Sequence, residues 1–355
     1  MPLSSHESTG TAAGSGVRPL RILHVTECFG AGVGRAVKLR AQGFPDAEHH
    51  LLWAGEETPV ASEWASAVPL PRTNLPRIAA IRRRVRELGP DIVHAHSSWA
   101  GVYTRTGRIG APVVYEPHCF KFEDPSLPPP SRIAFQCAER ALMARTAAVG
   151  VLSPHERAIV RGMRRDLPVV EVPNVPTIRP EQVGFRHADL RRMVMVGRIV
   201  PQKDPRFYID VVRRLRLAGV ALEAVWIGDG DAALCRLLSG AGIRVTGWLG
   251  ASEIEDLLRG AVYVHSACYE GFPLSILDAA ACEAPVVARR IPAIEHTGLL
   301  MASAPADVAS LVERLVHDEG EFAEARARGR RLLHSHSLPH LADALTVLYS
   351  EALNP

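Results

Sequence analysis

Residues 261–288 read AVYVHSACYEGFPLSILDAAACEAPVVA. Ala261 to His265 is an unbroken apolar run of strand type, and Ser266 to Glu270 is a polar turn. Gly271-Phe272-Pro273 leads into a helix, and Pro285 to Ala288 is a second apolar strand. Strands without polar alternation are covered on both faces, which is the mark of a parallel sheet with helices packed above and below.

The same alternation runs outward in both directions. Toward the N-terminus of this half, Met193 to Val196, Leu222 to Ile227 and Ile243 to Thr246 are strands, with helices over Pro205 to Ala218 and Ser252 to Leu258. Two helices are expected to close the chain, Asp307 to Leu315 and Leu338 to Leu353. The first half repeats the pattern. Strands are expected at Arg21 to Thr26, His50 to Ala54, Asp91 to Ala95, Val113 to Glu116, Ala148 to Leu152 and Val169 to Val172. Helices are expected at Arg35 to Gln42, Arg77 to Leu88 (stopped by Gly89-Pro90), Ser98 to Arg108 and Ser131 to Arg145. The tract DPSLPPPS, 124–131, reads as a loop on its prolines.

The resulting division is a tail over 1–17, a first domain over 18–175, a linker over 176–192 and a second domain over 193–337, followed by the final helix. The tail, MPLSSHESTGTAAGSGV, is small and polar with no apolar core, so it reads as disordered and not as a secretion signal. The linker is polar and carries prolines. A chain of 355 residues comfortably holds two domains. Hydrophobic residues make up 47% and charged residues 22%, an ordinary globular balance. A net charge of +3 points to no nucleic-acid partner. No apolar stretch reaches the eighteen or so residues that a transmembrane helix needs. The six cysteines form no C-x-x-C pair and read mostly as buried reduced thiols, which fits a cytoplasmic protein.

Ligands of open parallel sheets bind at the carboxyl ends of the strands. Those ends carry Gly30 to Gly34, then His96-Ser97-Ser98 and His118. In the second half they carry Gly197-Arg198, Gly228-Asp229-Gly230, Gly247-Trp248 and Ser266 to Glu270. The first glycine loop is spaced G-x-G-x-G, follows a strand and opens a helix, so it is a candidate phosphate turn or simply a tight connection. Arg198 and Lys203 lie just past a strand and before a helix, where two cations suit a diphosphate or form a solvated pair. Glu270 and Asp278 stand eight positions apart across the strand–turn–helix junction. Their carboxylates suit sugar hydroxyls, although Ser275 and Asp278 also have capping-box spacing.

In combination these stretches resemble family 4 glycosyltransferases. The second half is similar to their donor domain through GRIVPQKDP (197–205), WIGDGD (226–231) and EGFPLSILDAAACEAPVVA (270–288). The first half is similar through HVTECFGAGVGRAV (24–37), PDIVHAHSSWAG (90–101) and VVYEPHCFKF (113–122). The resemblance implies an α/β protein of the GT-B fold, in which two Rossmann-like domains with parallel sheets face each other across a cleft. It also implies transfer of a sugar from a nucleoside diphosphate to an acceptor hydroxyl with retention, and no metal or other cofactor. By the family pattern Arg198 and Lys203 would bind the donor diphosphate, Glu270 the transferred sugar and Asp278 the ribose. Gly271, Phe272, Pro273 and Leu274 would supply backbone N–H groups, with Gly32 approaching the diphosphate from the other domain. His118 would sit by the reacting sugar, and helix 338–353 would cross back onto the first domain. The family's second acid is usually Glu; Asp278 is one methylene shorter.

His96 is a candidate for the acceptor side of the cleft, whereas His94 reads as structural. His334, His336 and His340 read as surface residues and not as a metal cluster. Polysaccharide or glycolipid assembly is the first expectation for the acceptor, a small natural product the second. A non-catalytic nucleotide-sugar-binding relative, an epimerase and a phosphorylase remain as rivals. A nicotinamide oxidoreductase fails on glycine spacing. The arginine runs Arg82, Arg83, Arg84 and Arg86, and Arg161, Arg164 and Arg165, suit either peripheral contact with the inner face of a membrane or a solvated surface.

Overall fold

The computed structural model describes residues 18–179 and 185–354. The expected tail over 1–17 and positions 180–184 of the expected linker lie outside the described residues. The first half runs β1 (Arg21–Thr26), α1 (Ala31–Gly43), β2 (Glu48–Trp53), β3 (Ser66–Pro69), α2 (Asn74–Leu88), β4 (Ile92–His96), α3 (Ser98–Arg105), β5 (Val113–Glu116), α4 (Pro129–Leu142), β6 (Ala148–Val151), α5 (Pro154–Met163) and β7 (Val169–Glu171). The second runs β8 (Arg192–Val196), α6 (Pro205–Leu217), β9 (Glu223–Ile227), α7 (Ala232–Gly240), β10 (Arg244–Val245), α8 (Ala251–Leu258), β11 (Ala261–His265), α9 (Leu274–Ala281), β12 (Val286–Arg289) and β13 (Leu300–Ala302). Three helices follow: α10 (Pro305–His317), α11 (Glu319–Ser335) and α12 (Leu338–Leu353).

Both sheets are parallel throughout, as the unbroken apolar strands require. The first has the order β3-β2-β1-β4-β5-β6-β7 and the second β10-β9-β8-β11-β12-β13. The order reverses between β1 and β4 in one sheet and between β8 and β11 in the other. Such reversals leave a crevice at the carboxyl ends of the two strands. Glu27 and Ser97 follow β1 and β4 at one crevice, and the candidate residues Arg198 and Ser266 to Glu270 follow β8 and β11 at the other.

Local chemistry sets the helix starts. Ser153 accepts a hydrogen bond from the Glu156 N–H, and Pro154 opens α5. Asp204 does the same for Phe207 at the head of α6, which Pro205 opens. Helix α6 then buries Phe207, Tyr208, Val211, Val212 and Leu215 along one stripe.

Several elements depart from the sequence expectation. Helix α1 begins at Ala31 with Gly30 as its N-cap, so Gly32 and Gly34 are helical and not part of an extended turn. Helix α4 takes over the last prolines of the 124–131 loop, because Pro at the first helical positions loses no hydrogen bond. Strands β3 and β13 are short edge strands. Helix α11 is new. Its sequence is heavily charged, yet Phe322, Ala325, Gly329 and Leu332 recur on one face and are buried against the second half. Asp318 caps it through Glu321 N–H. Of the cysteines only Cys282 is buried; Cys137 is exposed and the other four are half-buried, all six as free thiols.

Helix α12 lies against α1 and the strands β4 to β7 of the first sheet. It buries Leu341, Leu345, Leu348, Tyr349 and Ala352 there. Gly43 makes room for it, since a Cβ at that position would lie 2.9 Å from Leu341 Cγ. No helix among the described residues is long and apolar enough to cross a membrane.

Truncating a fully buried leucine removes its transfer free energy and leaves a cavity. Leu345→Ala is expected to cost about 2–5 kcal/mol, read as a lowered urea midpoint. An unchanged midpoint would show that α12 is not integral to the first half.

Candidate functional site

A cleft of about 450 Å³ lies between the two halves. The wall from the second half is made by the segments after β8 and β11, which bring Arg198, Lys203 and Glu270 together with the first turn of α9. Lys203 and Glu270 form an ion pair, and Gln202 Nε2 donates to Tyr269 O at 3.0 Å and toward Glu270 Oε2 at 3.4 Å. Arg198 reaches across the cleft to Glu56 at 3.2 Å. Both partners are largely solvent-exposed, so this pair is weak and open to displacement by an anion. Opposite stands Gly32, where a Cβ would meet nothing within 4 Å.

The loop 271–274 is built for contact between the halves. A Cβ on Gly271 would come within 2.9 Å of Cys119 N and His118 C, so only glycine permits this approach. Asn174 Nδ2 donates to Phe272 O at 2.9 Å, and the Phe272 ring stacks on His336 at 4.5 Å. One expectation needs correction on chemistry. Pro273 has no N–H and donates nothing, and Phe272 is held through its carbonyl. Gly271, Phe272 and Leu274 keep their N–H groups, and Leu274 and Ser275 open α9 along the cleft.

Asp278 also departs from its expected place. It lies inside α9 and not at its cap, and its side chain is only 4% exposed. Its carboxylate accepts from Thr177 N at 2.6 Å and Ile178 N at 3.1 Å, and from the Thr177 hydroxyl, with Arg35 at 3.4 Å. Burial pushes its carboxyl up, against those bonds and Arg35. Here it ties α9 to the connection between the halves and does not line the cleft. The capping-box reading fails too, because the Ser275 hydroxyl instead accepts from Tyr263 at 2.7 Å.

His118 lines the cleft from the first half, at the end of the segment that follows β5. It has φ 52° and Cys119 φ 100°, left-handed conformations that non-glycine residues hold only when the surroundings enforce them. Glu156 is the enforcer. Its carboxylate accepts from Cys119 N at 2.9 Å and Leu152 N at 2.8 Å. Burial pushes that carboxyl up to about 7 despite the two bonds. Sequence reasoning missed Glu156, although Ser153 to Glu156 carries helix-start spacing.

His96 does not line the cleft. It is fully buried behind His118, with its Nδ1 3.1 Å from His118 Nε2, because it ends a central strand between covered faces. His94 is buried, with Nδ1 3.1 Å from the Tyr349 hydroxyl and Nε2 3.1 Å from Glu116. His336 is not a surface residue: it is buried against Phe272 and bonds to Asn174 O at 2.9 Å. Arg40, unnoticed in the sequence, is fully buried on Glu116 at 2.9 Å and on Asn174 at 3.2 Å. Within the arginine runs, Arg82 is engaged with Thr106 O, Arg84 with the Ser66 hydroxyl and Arg164 with Met143 O.

A second cavity, about 290 Å³, opens beside His118, walled mostly by the first half and closed by Gln202 and Tyr269 of the second. Trp99, Phe120, Phe122, Phe135 and Leu142 give it an apolar body. Glu27 sits on its wall, accepting from the Ser97 hydroxyl and from Ala100 N at 2.9 Å. Burial pushes the Glu27 carboxyl up, against those bonds.

Two family models match the chain: "Glycosyl transferase 4-like domain" over residues 18–175 and "Glycosyl transferases group 1" over 191–318. The alpha-D-kanosaminyltransferase of Streptomyces kanamyceticus is 27% identical over 314 residues, covering 76% of this chain and 79% of that protein. An Escherichia coli UDP-Gal:alpha-D-GlcNAc-diphosphoundecaprenol alpha-1,3-galactosyltransferase is 23% identical over 226 residues, 57% of this chain and 58% of that protein. Anabaena HepE, solved with UDP and glucose, superimposes with a TM-score of 0.73 at 14% identity, covering 92% of this chain and 98% of that one. The architecture is therefore GT-B, and the molecule is an enzyme that transfers glycosyl groups. The chain belongs to the glycosyltransferases, in agreement with family 4.

Burial, set against the nearby Glu116 carboxylate, lowers the His118 imidazole from 6.5 to about 4. The unfolded ring takes its proton near 6.5, so between about pH 6.5 and 4 the unfolded chain binds more protons. This group's contribution to stability is present above that window and is lost as pH falls through it. The His118 ring resonances are expected to stay constant from about pH 8 to 5.5 and to move only near pH 4. A midpoint near 6.5 in an NMR titration would contradict the buried, neutral ring.

Proposed function

We propose that this chain transfers a sugar, with retention of anomeric configuration, from a nucleoside diphosphate to an acceptor hydroxyl. The observation that carries this reading is the composition of the interdomain cleft. Two cations, Arg198 and Lys203, and the N-terminus of α9 converge on one wall, opposite the bare backbone of Gly32. A leaving diphosphate gains charge as the glycosidic bond breaks, and fixed cations and N–H dipoles stabilise charge where it develops. Glu270 is then released from Lys203 to hold the hydroxyls of the transferred sugar, and His118 meets the sugar or the incoming acceptor.

A uridine-diphosphate sugar is the first donor to test, given the relative named for UDP-Gal and the neighbour solved with UDP and glucose. The acceptor reading is glycolipid or polysaccharide assembly, in which the apolar cavity beside His118 takes the body of the acceptor and Glu27 one of its polar groups. The small volume of that cavity favours a second reading, a compact natural product, and the kanosaminyltransferase relative is in line with it. No step in either reading is assigned to a metal. Peripheral membrane contact through the exposed Arg83 and Arg86 belongs to the first reading alone.

The test is a panel of nucleoside-diphosphate sugars followed by thermal shift and nucleotide release, with product configuration read by NMR. One donor is expected to stabilise the protein. Lys203→Ala is expected to weaken its binding about 10- to 100-fold, the loss of one charge-assisted contact. Gly32→Val is expected to leave the melting temperature of the free protein unchanged and to weaken donor binding about tenfold or more. Equal donor affinity in all three proteins would remove the diphosphate from this cleft.

A further inference from the structure

Four imidazoles form an unbroken file through the first half. His49 Nε2 lies 2.8 Å from Phe44 O, and His49 Nδ1 lies 2.9 Å from His24 Nε2. His24 Nδ1 lies 3.0 Å from His96 Nε2, and His96 Nδ1 lies 3.1 Å from His118 Nε2. Successive ring centroids lie 5.1–5.4 Å apart. His118 Nδ1 bonds to no described residue, and it is not among the buried atoms left without a partner.

A neutral imidazole carries one N–H and one lone pair. A carbonyl oxygen only accepts, so the proton of His49 must sit on Nε2. Its Nδ1 is then an acceptor, and His24 must donate from Nε2. The same step repeats at His96 and again at His118. The direction of all four hydrogen bonds is set at one end by a backbone carbonyl.

We propose that the Phe44 carbonyl, acting through His49, His24 and His96, locks His118 as the Nε2–H tautomer, so that its Nδ1 lone pair faces the cleft and accepts a hydrogen bond from a substrate hydroxyl. His96, His24 and His49 are positioning residues for this purpose. The inference rests on the reading that His118 meets the sugar or the acceptor. The file locks and does not conduct, because a carbonyl takes a hydrogen bond and not a proton.

Burial lowers the pKa of every ring in the file and so favours the neutral form of each. The groups facing His118 agree with this polarity. Glu116 Oε2 lies 3.6 Å from the same Nε2 and favours a proton there, while Arg40 and His94 pack behind Glu116. Nitrogens of His24, His94 and His96 also lie within 4.8 Å of one another, as ligands of a metal do. In His24 and His96, however, both ring nitrogens are already taken up in the file.

The experiment is proton–nitrogen correlation NMR of the whole protein labelled with nitrogen-15 histidine, together with kinetics. All four rings are expected as Nε2–H tautomers. His96→Leu removes the acceptor of the His118 proton. It is expected to mix the His118 tautomers and lower kcat about tenfold, one hydrogen bond's worth, with donor KM unchanged. His96→Asn, whose Oδ1 still accepts, is expected to recover most of both. A His118 Nδ1–H tautomer in the unmodified protein would overturn the proposal. So would a metal ion found on these nitrogens, or His96→Leu leaving tautomer and kcat unchanged. His118→Ala with full activity would instead remove the role of His118 in transfer while the tautomer result stood.

Discussion

Arg40 and Glu116 meet with no water between them, at 2.9 to 3.3 Å and with both side chains essentially unexposed. Burial alone would keep the carboxyl neutral, but Arg40 and the neighbouring histidines hold it well below the usual carboxylate range. Removing one partner of such a pair strands a charge, so the pair is costly to break whatever its net worth. Its connections make it central. Arg40 holds Asn174, Asn174 holds the Phe272 carbonyl, and His336 grips the Asn174 backbone. Glu116 faces both His94 and His118. A single buried ion pair thus connects the helix that carries Gly32, the strand before His118 and the loop before α9.

The cleft follows from this network and from sheet topology together. Each sheet reverses strand order once, and each reversal places polar groups at its mouth. Gly271 lets the two mouths touch, passing close to His118 and Cys119 where no side chain would fit. Glu156 holds the backbone of that turn in a conformation it would not keep alone. Cations on one wall and a neutral imidazole on the other then face a common space.

Most strands of the two sheets were legible as apolar runs, and Val113 to Glu116 and Ala261 to His265 fall where expected. So were Arg198, Lys203 and Glu270, whose place after a strand decides what they face. Helix α11 was hidden because two of its four buried positions are Ala325 and Gly329, which barely register as apolar. The edge strands β3 and β13 were too short to show a period. Arg40 and Glu156 were invisible for another reason. Glu116 stands 76 positions from Arg40 and Cys119 stands 37 from Glu156, and the local spacing of Ser153 to Glu156 announces a helix start but not a carboxyl folded into the interior. Asp278 shows the converse limit. Its spacing from Glu270 fits a ligand-binding pattern, but its carboxylate is spent on Thr177 and Ile178.

Helix α12 follows the whole second half in sequence, yet it covers the sheet of the first half. A ribosome delivers the chain from its N-terminus. The face of β4 to β6 that Leu345, Leu348 and Tyr349 will cover therefore stands open while the entire second half is being synthesised. The first half is complete as a sheet long before it is complete as a core. The core of the first half is thus closed by a sixteen-residue helix made after the second half, and a nascent chain stalled before Leu338 would present that apolar face to whatever binds exposed hydrophobic surface.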